Sequence, residues 1–176
     1  LGTMELLMTS PLKDFEIVIG KFLAALSIII VMIIGTFFYP IILIIFGVPD
    51  FGPIFTGYLG LILYSSSTLS VGIFASSLSS NQLVSLVVGS GILSFLTFID
   101  FVSSRLSGAF GTILNELQLG GSFSLFDSSS FGIAEGGHFA DFARGIINVY
   151  DIIFYISVSA IFLVLTIFSL ESRRWR

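Results

Sequence analysis

From Phe22 to Gly47 the chain reads FLAALSIIIVMIIGTFFYPIILIIFG, with no charged side chain and no polar face at any helical register. A helix apolar all round is stable only inside a large core or in lipid. About 20 such residues cross about 30 Å of hydrocarbon, and this run is long enough. Three more stretches, at 54–78, 82–102 and 152–170, are predominantly apolar over a comparable length. The first two spans are separated by GVPDFGP, where Gly47, Pro49, Asp50, Gly52 and Pro53 act as breakers. Only SSNQ separates the second span from the third, and Pro40 should kink the first near its far end. Between 103 and 151 the pattern changes to a Gly/Ser-rich stretch with two weakly helical patches, at 106–119 and 138–149. The predicted fold is all-α, a bundle of four transmembrane helices in one domain covering 1–176.

Two flanking patterns add to the bundle. Residues 1–21 carry Glu5, Lys13, Asp14, Glu16 and Lys21, yet run without a linker into the first span. Ser10 followed by Pro11 is a helix start, since Ser caps free amides and Pro at the first helical position gives up only an unpartnered N–H. Before it, Met4, Leu7 and Met8 recur at helical spacing, which suits either docking onto a partner or lying in the headgroup layer. On the other side, HFADFARGIINVYD places Phe139, Phe142, Ala143 and Ile146 on one helical face. Gly145 interrupts it and Asp151 can cap the last span, so a short helix dipping into the outer leaflet is predicted.

Composition sharpens this. The 176-residue chain is 55% hydrophobic and 10% charged, against roughly a quarter charged in soluble domains. This marks an integral membrane protein. Lys13, Lys21, Arg173, Arg174 and Arg176 flank one side of the four spans and only Arg105 and Arg144 the other, which puts both chain ends in the cytoplasm. The absence of cysteine excludes disulfides and thiolate chemistry. The net charge of −4 is spread without a basic patch, so nucleic-acid binding has no support.

Candidate chemistry is sparse. There is no P-loop, GxSxG or HExxH, and the DFG at Asp50–Gly52 lacks the loops that give it kinase meaning. No catalytic, cofactor-binding or metal-binding residue nominates itself. His138 and Asp141 share a helical face, but one imidazole and one carboxylate make a poor metal site. Asp100 lies at the outer end of the third span, where water reaches it. The small residues Ser65, Ser66, Gly72 and Ser76 of the second span and Gly89 and Gly91 of the third favour close helix packing. A polar pathway is the alternative. His138, Phe139, Phe142, Arg144 and Gly145 are the candidate residues of the outer helix.

GTMELLMTSPLKDFEIVIGKF, together with GYLG at Gly57, FASSLSSNQ at Phe74, HFADFARG at His138 and LESRRW at Leu170, resembles permease subunits of ABC-2 type ABC transporters. The likeness is to the gliding-motility-associated branch. It covers most of the chain, and the first and last motifs are the most specific. It implies a transporter subunit of the cytoplasmic membrane, not itself an enzyme and without a cofactor. Its partners would be an ABC ATP-binding subunit, a second permease chain and the lipid bilayer. By that analogy a whole permease has about six spans, so the chain reads as a fragment missing its N-terminal part. Gly2, Thr3, Glu5, Leu6, Leu7, Thr9, Ser10 and Pro11 would form the cytoplasmic coupling helix seated on the ATPase. The alternative is a membrane anchor or assembly component of a gliding-type complex with no transport of its own.

Overall fold

The computed structural model describes residues 14–47, 49–103, 116–120 and 138–174. They form α1 (Asp14–Gly35), α2 (Phe38–Phe46), α3 (Phe51–Leu78), α4 (Gln82–Ser103), α5 (His138–Ala143) and α6 (Val149–Arg174). Four stretches are long and apolar enough to cross a membrane: α1 with α2, then α3, α4 and α6. The predicted coupling residues Gly2–Pro11 lie outside the described residues, as does the patch at 106–115.

The first span is longer than its apolar run and starts at Asp14, because the charged stem is itself helical. Pro40 makes its mark a full turn before its own position. Lacking an N–H and pressing its ring on the carbonyl four residues back, a proline disrupts the ladder at i−4, which here is Thr36. The helix breaks at Thr36–Phe37, where Thr36 and Phe37 bond back to Ile33 and Ile34 in tighter i−3 geometry. The Thr36 carbonyl then accepts from the Tyr58 hydroxyl at 3.0 Å, while the Tyr58 ring stacks on Phe37.

Asp50, within the breaker-rich turn, caps α3 by accepting from the Gly52 amide at 3.0 Å. At the other end Asn81 accepts from Leu83 N–H, opening α4 within two residues of the turn.

Contacts between spans fix their directions. Tyr58 meets Thr36 and Gly89 meets Ala75, so α1 and α4 each run antiparallel to α3. Tyr64 lies by Tyr155, Ser66 by Ser159, Phe74 by Phe162 and Ser77 by Ser169, so α3 and α6 run parallel. One end of the bundle therefore gathers the start of α1 and the ends of α3 and α6. The other gathers α2, α5 and the starts of α3 and α6.

Along α3 what is buried is small or polar, whereas the first span exposes large apolar side chains. In α3 the buried residues are Thr56, Gly60, Ser67, Ser70, Val71 and Ala75, whereas Val31, Met32 and Ile45 stand two-thirds exposed on the first span. This inversion suits lipid, where spans associate by close packing and hydrogen bonds instead of water exclusion. The serine hydroxyls are satisfied at home: Ser67 donates to Tyr64 O and Ser70 to Ser67 O.

The helix α5 is short because it ends in a Schellman turn, with Ile146 N–H on Asp141 O and Gly145 N–H on Phe142 O. Gly145 has φ +87° and its Cα faces Pro53, so it combines a left-handed backbone with a close approach. Phe142, fully buried, presses into a notch left by Gly60, and the Thr56 hydroxyl donates to Phe142 O at 2.7 Å.

Candidate functional site

The end of the bundle that holds α5 carries a buried polar cluster that joins distant segments. His138 opens α5 and Asp151 lies in the first turn of α6. His138 Nδ1 sits 2.6 Å from Asp151 Oδ1, and Nε2 sits 3.1 Å from the Glu116 carbonyl oxygen. The ring stacks on Phe154 at 3.9 Å between centroids and lies 5.3 Å from Tyr150. Tyr150 donates to Glu116 Oε2 at 3.1 Å, and one turn further along α6 Tyr155 donates to Leu119 O at 2.8 Å. Residues 116–120 are thus strapped along α6, and the Leu119 amide donates across to Leu96 O on α4. Leu119, Phe142 and Tyr155 pack into a buried core with Leu59, Leu63 and Leu96 around it. Three buried polar atoms have no hydrogen-bond partner among the described residues: Gln118 Oε1, Gln118 Nε2 and Asp151 Oδ2.

Chemically the arrangement is a clasp. In a hydrolytic triad the ring nitrogen away from the carboxylate meets a nucleophile, but here it meets a main-chain carbonyl. Nor do His138 and Asp141 converge: the Asp141 carboxylate accepts from the Asn148 amide instead. Among the described residues no three His, Cys, Asp or Glu side chains gather as a metal would require.

The sequence-predicted residues fall in different places. Ser66 reaches Ser159 on α6 at 3.2 Å, and a Cβ on Gly89 would lie 3.1 Å from Ala75, so both sit in helix contacts. Ser65 is half-buried. Gly72, Ser76 and Gly91 face outwards, and the two glycines have open space beside them. Of the outer-helix candidates, His138 and Phe142 are buried, Phe139 is half-buried with its ring 5.9 Å from Tyr64, and Arg144 is exposed. Asp151 is not the cap of the last span, because α6 begins at Val149 and the Asp151 amide already bonds to Asn148 O. Its carboxylate is free for His138 for that reason.

Glu116, Gln118, Tyr155 and Thr56 carry no motif and were missed. The available signal was an ionisable residue just inside a span, which is costly there unless partnered, with the single histidine 13 residues upstream. Comparisons with known protein families, with curated proteins and with solved structures returned no match.

Proposed function

We propose that the chain is a membrane-spanning subunit of an ABC-2 type exporter in the cytoplasmic membrane, worked by ATP hydrolysed on a separate subunit and paired with a second permease chain. The motifs Gly2–Pro11 and Leu170–Trp175 suggest the family. The observation that carries the mechanism is the continuity of α1. From Asp14 through Glu16 and Lys21 to Gly35 it is one unbroken helix, and Val18 in its second turn is already buried. A push on the charged stem has no flexible linker in which to dissipate. It passes to α3 and α6, against which α1 packs. The stem shares its end of the bundle with Arg173 and Arg174, as a cytoplasmic face requires under the positive-inside rule.

The test is Leu7→Asp. A few residues dominate such helix-in-groove contacts, by about 2 kcal/mol or more each, and a charge there lacks a partner. The variant should insert normally but lose the ATP-binding subunit on purification. Recovery of that subunit at wild-type stoichiometry would remove the coupling role and, with it, the transporter reading.

A further inference from the structure

We propose that the His138–Asp151 pair is a proton-binding site, and that the bound proton fastens α5 and residues 116–120 onto α6. Hydrogen-bond bookkeeping leads there first. The Glu116 carbonyl can only accept, so Nε2 of His138, 3.1 Å away, must carry a hydrogen. A neutral imidazole has one N–H, which would leave Nδ1 bare against a carboxylate oxygen at 2.6 Å. Two lone pairs do not face each other at that distance. A second proton therefore lies between Nδ1 and Oδ1, whether drawn on the ring or on the carboxyl group.

Charge balance leads to the same place independently. His138 is 7% and Asp151 4% exposed, and Asp151 Oδ2 has no donor among the described residues. Without the second proton the pair would be a buried net negative charge with a bare oxygen, an arrangement proteins avoid. With it the pair is neutral overall. The stacked Phe154 face suits a ring bearing positive charge.

The charged and titratable groups near the pair come from each element packed against it. From α6 come Asp151 and the phenols of Tyr150 and Tyr155; from residues 116–120 comes the Glu116 carboxylate, which accepts from Tyr150. From α5 come Asp141, engaged by Asn148, and Arg144, which is exposed. The α3 contribution is the Tyr64 phenol, and α4 adds Leu96 and Thr97 without a described charged side chain. Among these described groups carboxylates outnumber the cation Arg144, which is exposed.

Removing the proton costs one of the two links, either α5 to residues 116–120 or α5 to α6. Because the fastened state binds the proton, linkage makes fastening weaken as pH rises. This end of the bundle, opposite the α1 stem, then responds to the pH of the compartment it faces. The inference does not rest on the transporter reading, since the same clasp would act in an anchor.

A single histidine makes the test direct. The full chain, labelled with ¹⁵N in histidine and ¹³C in aspartate, is placed in bicelles and its ring and carboxyl signals followed by NMR from about pH 5 to 9. At the acid end the pair should hold two protons. As the second is lost, amide exchange in 116–120 and 138–143, corrected for its intrinsic pH dependence, should quicken about tenfold, the scale of one lost hydrogen bond. His138→Gln keeps a donor but cannot bind the proton, so it should abolish the step. A neutral ring beside an ionised Asp151 at about pH 5, with both segments still protected, would overturn the proposal. So would corrected exchange that ignores pH, or a step that survives in His138→Gln. Should that variant fail to fold, the wild-type spectra and exchange decide alone.

Discussion

Replacing Gly60 by alanine should undock α5, although alanine is the better helix former. A Cβ built at Gly60 lies 2.8 Å from both Cβ and Cγ of Phe142. Neither atom is the tip of a flexible chain, so no change of rotamer makes room and the α5 backbone itself must move. The Thr56 hydroxyl bond to Phe142 O holds that backbone in place and would be stretched or lost. In a helix interior Gly→Ala alone stabilises by about 1 kcal/mol. Overpacking costs about 1–3 kcal/mol, and losing the hydrogen bond about 1 kcal/mol more. Gly57→Ala is the internal control, on the same helix, with nothing within 4 Å of the added methyl. The propensity gain is common to both variants, so their difference isolates the collision: Gly60→Ala should be less stable by about 2–4 kcal/mol. Thermal unfolding in a fixed detergent, with limited proteolysis of α5 as a second readout, measures it. Equal stability of the two variants would refute the claim that Phe142 is seated in the Gly60 notch.

Two further outcomes are expected beside those already given for Leu7 and His138. Tyr58→Phe keeps the stacking on Phe37 but removes the hydroxyl that donates to Thr36 O beside the Tyr39 amide, and should cost about 1 kcal/mol in thermal unfolding; wild-type stability would show that the phenol does not hold the break. Because the chain lacks cysteine, Ile147→Cys should react with an impermeant thiol reagent in intact cells and Ser80→Cys only after the membrane is opened; labelling of both in intact cells would defeat the orientation.

The four spans, the breaker turn around Asp50 and the short link after Leu78 were legible in the sequence because they depend on local quantities. Hydropathy, length and breaker residues act within a few positions of where they are written, and lipid accepts any apolar face. That same tolerance hides the packing. Where helix neighbours and lipid are equally apolar, no hydrophobic contrast says which side of a span turns inward. Hence Ser66 and Gly89 could not be told in advance from Gly72, Ser76 and Gly91, which carry the same small side chains on the outer surface. Pro40 announced a kink, but Thr36 received it, since the clash is with the carbonyl one turn back. His138 was visible as a lone histidine and Asp151 as a possible cap. Only the tertiary structure made them partners, by docking α5 through Phe142 into a gap that belongs to Gly60, more than eighty positions upstream in the chain.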